Sequence, residues 1–184
     1  MQRVAPLLTD WRWPLLAILA SASMLAAAHG FERFAFLYPC PLCLRQREVY
    51  WAIIAMTLVG LGLWRVRPTP RFLPALNVLV GLVFLTGAGV AAYHMGVEYG
   101  VLPPPAGCEA PTALEAARAA VDGTGGDLDR RMATASCTEV PWSMLGLSMA
   151  GWNVLVSLGL AGLSFFAAQS TKPVSPVSAE PATP

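Results

Sequence analysis

Charged residues are scarce in this chain: only 12% of its 184 residues are Asp, Glu, Lys or Arg. A typical soluble domain has about 25%. Hydrophobic residues make up 55% of the chain, so the composition argues against a soluble domain and favours a membrane protein. The net charge is only +1, which provides no excess of basic residues for nucleic acid binding. The length fits a single domain.

Four apolar segments are candidates to cross a bilayer as helices, which takes about 20 residues. They run from about Trp13 to Ala28, Leu44 to Trp64, Phe72 to Tyr93 and Trp142 to Ala168. We therefore expect an all-α membrane protein, a four-transmembrane-helix bundle over residues 1–169 with a long loop at about 95–141. Within that loop, residues 111–121 have the pattern of a short interfacial helix. Residues 170–184, rich in Pro, Ser, Thr and Ala, are expected to form a disordered tail.

The first span has two interpretations. Arg3 and Arg12 precede an apolar stretch that ends in Ala26-Ala27-Ala28, a pattern that also describes a cleavable signal peptide. Trp11 and Trp13 are instead suited to anchor a retained helix at the membrane interface. We favour the retained helix, and the pattern leaves cleavage open.

Basic residues near the spans predict the orientation, because cytoplasmic loops are enriched in Lys and Arg. Arg65, Arg67 and Arg71 crowd the short loop between the second and third spans. The opposite side carries as many basic residues, but half of them lie in the long loop among acidic ones. We therefore expect both termini in the cytoplasm and all the cysteines in a bacterial periplasm. That compartment is oxidising, so disulfides persist there.

Two of the four cysteines form Cys40-Pro41-Leu42-Cys43 where the second span begins. A helix N-terminus stabilises a thiolate, and Pro is well suited to the first turn. The motif therefore predicts a redox-active pair, with Cys40 near the helix cap and Cys43 in the first turn. Haem attachment is excluded because Leu44, not His, follows the second cysteine. A zinc site needs a further compact ligand pair, which is not evident, and an inert structural disulfide is the remaining alternative.

Two polar residues at the same side of the membrane are candidates to act with this pair. Arg47 follows Cys43 by four residues, on the same helical face, where its charge favours a thiolate and could stabilise a quinone anion. Glu48 could offset that charge, or Arg47 could simply extend to the lipid headgroups. His94 ends the third span and could donate a hydrogen bond or a proton to a reduced quinone, or be an ordinary interfacial histidine.

The other two cysteines, Cys108 and Cys137, lie in the long loop. A disulfide between them would be exposed and open to attack by an incoming thiolate. The alternative is a bridge that only tethers the loop, worth about 3 kcal/mol by loop entropy. Because a CxxC lies on the same side, we favour a relay of electrons between the two pairs.

These motifs together resemble the DsbB family of quinone-dependent thiol oxidases of the bacterial inner membrane. Each motif alone is weak evidence for the family, but the order and spacing of the motifs together are specific. The resemblance rests on Pro39-Cys40-Pro41-Leu42-Cys43 with Arg47, on Tyr93-His94 leading to Cys108, and on Ser136-Cys137 running into Trp142, Leu145-Gly146-Leu147-Ser148-Met149 and Trp152-Asn153.

The resemblance implies an enzyme that reoxidises a periplasmic DsbA-like dithiol oxidase and passes the electrons to ubiquinone or menaquinone, with no metal. It also implies a role for each site residue: Cys108 forms the mixed disulfide with the partner, Cys137 is its loop mate, Cys40 receives electrons from the loop pair, Cys43 faces the quinone, and Arg47 and His94 lie near the quinone ring. Two alternatives stay open. One is a vitamin K epoxide reductase-like or reductant-transporting membrane protein, and the other is a non-catalytic scaffold with structural disulfides.

Overall fold

The computed structural model describes residues 11–108, 121 and 136–170. Within these residues there are four long helices: α1 (Arg12–Phe34), α2 (Pro41–Val66), α3 (Phe72–Glu98) and α4 (Met149–Ser170). Each is long and apolar enough to cross a membrane. Even the shortest, with 22 residues, exceeds the roughly 20 that a span requires. The prediction of an all-α membrane protein with a four-helix bundle is therefore confirmed.

The bounds of the helices differ from the predicted spans mainly on the side where the cysteines lie. α1 continues to Phe34, α2 begins at Pro41, and α3 continues to Glu98 rather than ending at Tyr93. The polar residues added in this way are helical because hydrogen bonding in a helix is local, whereas hydropathy marks only the part that suits the lipid. At the other end, Ser170 closes α4 instead of opening the tail. Of the predicted interfacial helix over residues 111–121, only Val121 is among the described residues, and it is helical. The rest of that helix and of the tail, residues 111–120 and 171–184, lie outside the described residues.

The predicted start of the fourth span is wrong, because α4 begins at Met149 and not at Trp142. The intervening residues form an antiparallel hairpin of β1 (Ser143–Met144) and β2 (Leu147–Ser148). Its two-residue turn has positive φ angles at both Leu145 and Gly146, 54° and 79°. Such a turn matches the twist of paired strands. Ser148 then accepts a hydrogen bond from the N–H of Gly151 and so caps α4.

The bundle is held together by close packing between helices. α3 packs along α4 and against α2, and α2 packs on α1. Ile53, Val80 and Phe84 are fully buried at the centre. Lipid is as apolar as these side chains, so association depends on shape and close approach rather than on the hydrophobic effect. Gly81 illustrates this, because a Cβ atom there would lie 2.9 Å from the ring of Phe165 on α4.

Trp13 ties α1 into the bundle rather than anchoring it in the interface as predicted. Its side chain is 3% exposed, and its indole N–H donates a 3.1 Å hydrogen bond to Ser164 on α4. Trp11, which is 47% exposed, has the exposure expected of an interfacial anchor. A polar group buried among apolar helices needs a hydrogen-bond partner, so the bond to Ser164 fixes the orientation of the Trp13 indole. The packing of α1 favours the retained helix.

The fold brings the cysteines together at one end of the bundle, where α2 begins and α3 ends. We call this the cysteine end, defined by Cys40, Cys43, Cys108 and Cys137. Antiparallel neighbours in an up-and-down bundle place the start of one helix beside the end of the next. The C-terminus of α1 and the hairpin before α4 complete this end, so residues from every helix surround the sulfurs.

Candidate functional site

The CxxC occupies the first turn of α2, as the sequence predicts. Cys40 is the N-cap residue, with extended backbone, and Pro41 occupies the first turn. The backbone N–H of Cys43 donates a 3.1 Å hydrogen bond to the Cys40 sulfur, so that sulfur takes the place of the usual capping oxygen. Both cysteines are free thiols, and their sulfurs are 2.7 Å apart. Little movement would be needed to reach the roughly 2.05 Å of a disulfide.

The two thiols have different surroundings. Cys40 is buried, whereas Cys43 is partly exposed to a cavity. The hydrogen bond with the Cys43 side chain, together with burial, raises the pKa of the Cys40 thiol far above its ordinary value. In the contact between the two sulfurs, Cys40 is the donor and Cys43 the acceptor.

His94 lies against the CxxC and is not an ordinary interfacial histidine. Its side chain is almost completely buried, and its Nε2 atom is 3.5 Å from the Cys40 sulfur. Its other ring nitrogen, Nδ1, is 2.8 Å from the amide nitrogen of Gln46. A carboxylate oxygen of Glu98, one turn further along α3, is 3.7 Å from Nε2, and the ring also contacts the backbone of Cys137. His94 thus touches both cysteine pairs.

Arg47 is held by α1 instead of extending to the headgroups. Its side chain is 14% exposed, and one guanidinium nitrogen is 2.6 Å from a carboxylate oxygen of Glu32. The other donates to the backbone carbonyl of Ala28 at 3.3 Å. Glu48, the residue considered as a possible offset to the charge of Arg47, instead pairs with Arg45 on the exposed face of α2. The negative partner of Arg47 is therefore Glu32.

Cys108 and Cys137 form a disulfide, and the expectation that it would be exposed is wrong. The two residues are 1% and 0% exposed and pack in one apolar cluster with Cys40, Leu42 and Val97. Their backbones are also joined, since the N–H of Cys137 donates to the carbonyl of Cys108 at 3.2 Å. The loop disulfide therefore packs against the CxxC, out of reach of a bulky external thiol.

A cavity of about 290 Å³ adjoins the CxxC, and Cys40, Cys43, Arg47 and His94 all line it. Small-molecule pockets are typically about 300–1,000 Å³, so the cavity is near the lower end of that range. Its other walls are mostly apolar side chains of α1, α4, the α1–α2 connection and the segment that precedes the hairpin. The rings of Phe31 and Trp142, with centroids 5.3 Å apart, join α1 to the segment just before the hairpin at this cavity.

A larger depression of about 660 Å³ lies on the outside of α2 and α3, along residues such as Val49, Val83 and Val90. It is open and almost wholly apolar, and it contains neither sulfur of the CxxC. Because redox chemistry requires contact with the thiols, the smaller cavity is the candidate site.

The site also contains three side chains that could bind a metal ion, those of Cys40, Cys43 and His94. Their ligand atoms all lie within 4.8 Å of one another. Two thiolates and an imidazole suit a thiophilic cation such as Zn²⁺. The structure thus supplies a histidine that the sequence spacing did not reveal. A cation held here would occupy the same sulfurs that disulfide formation needs, so the two uses exclude each other.

Several polar residues around the site were not singled out in the sequence. One signal was available, because polar or ionisable residues inside otherwise apolar spans are rare and usually functional. Spacing gave a further hint for Glu98, which lies one turn after His94. The residues missed are Glu32, Gln46, Tyr50 and Glu98, all of which line the cavity or bond to a residue that does. Asn153, named in the sequence only as part of a motif, lines the cavity as well.

Comparison with known proteins establishes the family. The family model described as "Disulfide bond formation protein DsbB" matches residues 10–167. The chain belongs to the DsbB family. It is therefore a multi-pass membrane protein of disulfide bond formation, and the resemblance read from its motifs is confirmed.

Curated relatives agree with this family assignment. Disulfide bond formation protein B of Dechloromonas aromatica (strain RCB) is 35% identical over 77% of this chain and 82% of its own length. The protein of the same name from Methylococcus capsulatus is 32% identical over 82% of this chain and 88% of its own. Disulfide bond formation protein B of Xanthomonas axonopodis pv. citri (strain 306) is 29% identical over 87% of this chain and 94% of its own length. No solved structure matches this chain significantly.

The ion pair of Glu32 with Arg47 should stabilise the contact between α1 and α2. Glu32→Gln keeps a hydrogen-bond acceptor but removes the charge, so we expect a loss of about 1 kcal/mol, between the values typical of exposed and buried pairs. Thermal unfolding of the purified protein in detergent measures the effect. Glu48→Gln is the matched control, since its pair is exposed, and it should change stability by less than about 0.5 kcal/mol. Equal losses in the two variants would contradict the assignment.

Proposed function

We propose that this protein is a thiol oxidase that takes electrons from a periplasmic DsbA-like dithiol oxidase and passes them through two disulfides to a quinone. The observation that supports this best is the order of groups at the cysteine end. The loop disulfide packs against buried Cys40, Cys40 contacts Cys43, and Cys43 lines a cavity with Arg47. Electrons can pass along such a row by thiol exchange, which requires contact between successive sulfurs.

The first exchange takes two electrons from the partner. A partner thiolate attacks Cys108, a mixed disulfide forms, and the Cys108–Cys137 bond breaks to leave Cys137 as a thiolate. The partner's second thiolate then breaks the mixed disulfide, so the partner becomes oxidised and the loop pair becomes a dithiol. Because Cys108 and Cys137 are buried in the described conformation, this step requires their segments to move away from Val97 and Leu42.

The second exchange transfers the electrons to the CxxC. A thiolate of the loop pair attacks Cys40 of an oxidised CxxC, and Cys43 leaves as a thiolate. The loop mate then attacks the new mixed disulfide, so the loop disulfide re-forms and Cys40 is released. The products are a loop disulfide packed against a reduced CxxC.

The residues of the cavity fit a quinone as the final acceptor. Apolar walls suit the ring, and the guanidinium of Arg47 supplies positive charge where reduction adds negative charge. His94 lines the same space and adds a polar side chain beside Cys40. When bound, a quinone would accept two electrons and two protons as Cys40 and Cys43 join in a disulfide. Either ubiquinone or menaquinone has this chemistry.

The overall reaction tests the proposal directly. Proteoliposomes containing the protein should reduce added ubiquinone or menaquinone when a reduced DsbA-like protein is supplied, and should not when it is omitted. Cys43→Ser should abolish turnover, since the electrons then have no exit from Cys40. Quinone absorbance reports the rate. Turnover that persists in Cys43→Ser would rule out the relay. A scaffold with structural disulfides would show no turnover in any variant, including the wild type.

Arg47 should matter for the quinone step and not for the partner step. Arg47→Gln removes a partly buried charge from the cavity, so we expect roughly a tenfold loss of kcat/KM for quinone. Oxidation of the partner by the preformed loop disulfide, followed in a single turnover without quinone, should stay unchanged. Arg45→Gln is the matched control, because Arg45 is exposed and pairs with Glu48 on the outer face of α2. If Arg47→Gln slowed quinone reduction and partner oxidation equally, the role assigned to Arg47 would be wrong.

The proposed orientation puts the cysteine end in the periplasm and the α2–α3 loop in the cytoplasm. Val101 and Val66 provide a matched pair at opposite ends of the bundle, since each is 77% exposed. A membrane-impermeant maleimide applied to cells with a permeabilised outer membrane should label Val101→Cys above the wild-type background. Val66→Cys should be labelled only after lysis. The reverse pattern would invert the topology.

A further inference from the structure

The charges of the described residues are divided unevenly between the two ends of the bundle. The described acidic residues all lie in the half that contains the sulfurs; they are Glu32, Glu48, Glu98 and Glu139. The opposite end, where α1 and α3 begin and α2 ends, carries arginines and no described acidic residue. We call it the arginine end, defined by Arg12, Arg65, Arg67 and Arg71. An excess of one sign of charge attracts ligands of the other sign.

Three of these arginines carry charge that no described side chain neutralises. Arg65, Arg67 and Arg71 are all exposed, and no ion pair between described residues includes them. At the cysteine end, by contrast, Arg45 and Arg47 each pair with a glutamate. The guanidinium groups of the arginine end are therefore available to an external anion.

The connection between α2 and α3 holds these arginines in a fixed arrangement. It runs only from Arg67 to Arg71 and contains two prolines, Pro68 and Pro70. The ring of a proline fixes its φ angle, so the backbone of this connection has little freedom. At its start, the N–H of Arg67 donates a 2.9 Å hydrogen bond to the carbonyl of Leu63. A site that is already ordered loses little entropy when it binds a ligand.

The arginines lie where the spans reach the lipid headgroups. Arg65 is in the last turn of α2, and Arg71 directly precedes α3. These helices have 26 and 27 residues, more than the roughly 20 that cross the hydrocarbon, so their ends extend to the headgroup region. Packed helices have axes about 8–10 Å apart, and Arg67 and Arg71 lie at the ends of two such neighbours. The two charges are therefore spaced to meet two separate phosphates.

Apolar surface suited to lipid tails continues from the arginines along α2. Val59 and Leu63 are 62% and 56% exposed and precede Arg67 by eight and four positions. Residues four apart lie on the same face of a helix, so these two side chains and Arg67 form one line. A ligand that fits the whole line has an anionic head and apolar tails. A nucleic acid or another soluble polyanion would use the charges alone.

We propose that the arginine end binds an anionic phospholipid with two phosphates, of the cardiolipin class, whose acyl chains lie along the exposed face of α2. Arg67 and Arg71 each meet one phosphate, and Arg65 adds positive charge beside them. Guanidinium groups pair well with phosphate oxygens, and basic pockets at the ends of neighbouring spans suit such headgroups. Arginines that only set the orientation of the spans would need no saturable site. The inference concerns the end opposite the sulfurs, so it does not depend on the proposed function.

Lipid titration of the purified full-length protein, followed by native mass spectrometry, tests the site. One cardiolipin should bind saturably, more tightly than phosphatidylglycerol, which has one phosphate, and far more tightly than phosphatidylcholine. Arg67→Gln with Arg71→Gln should weaken cardiolipin binding roughly 25-fold, about fivefold for each arginine. The matched control is Arg33→Gln with Arg45→Gln, which removes two exposed arginines from the cysteine end and should leave the affinity unchanged. Equal weakening in the two double variants, or phosphatidylglycerol binding as tight as that of cardiolipin, would overturn the proposal.

A measurement on the wild-type protein tests the same site without any substitution. Added cardiolipin should raise the midpoint of thermal unfolding in detergent, because a ligand that binds only the folded state stabilises it. Raising the salt concentration from about 0.05 M to about 0.5 M should shrink this rise, since salt screens the attraction between exposed charges. A rise that does not depend on salt, or an equal rise with phosphatidylcholine, would show that the arginines do not bind the headgroup.

Discussion

The position of Cys40 at the N-terminus of α2 is the constraint on which the rest of the site depends. Its sulfur caps the helix through the N–H of Cys43 and lies in contact range of His94. On its other side it packs in one cluster with the loop disulfide of Cys108 and Cys137. A side chain that caps a helix has a fixed direction, because it must meet a backbone N–H. The three neighbours are therefore arranged around a sulfur that the backbone itself holds in place.

The membrane environment explains why so many polar groups at this end are paired. Lipid offers no hydrogen-bond partners, so a polar side chain within a span can be paired only inside the protein. Glu32 and Arg47 satisfy each other between α1 and α2, and Gln46 bonds to both His94 and Asn153. These pairings join helices that would otherwise be held only by packing. The same groups give the cavity its charge and its hydrogen-bond donors, so stability and chemistry share residues.

The sequence predicted those features that depend on local pattern. The first turn of α2 follows from Pro41 beside a capping residue, and the long apolar runs identify the four spans. It failed where a feature depends on distant partners. The hairpin before α4 was hidden because its residues are as apolar as a span, and only the positive φ angles at Leu145 and Gly146 reveal the turn. The burial of the loop disulfide was missed because Pro- and Gly-rich flanks indicate exposure, whereas Val97 and Leu42 cover it.

The sequence by itself determined the membrane class, the CxxC at a helix start and the family, because these depend on composition, spacing and the order of motifs. Only the tertiary structure decided which groups surround the sulfurs. His94 is 48 positions from Gln46, and Asn153 is 107 positions from it, so no local pattern could connect them. Packing of α2, α3 and α4 brings them within hydrogen-bond distance. Which of these groups meet therefore depends on how the helices pack and not on their positions in the chain.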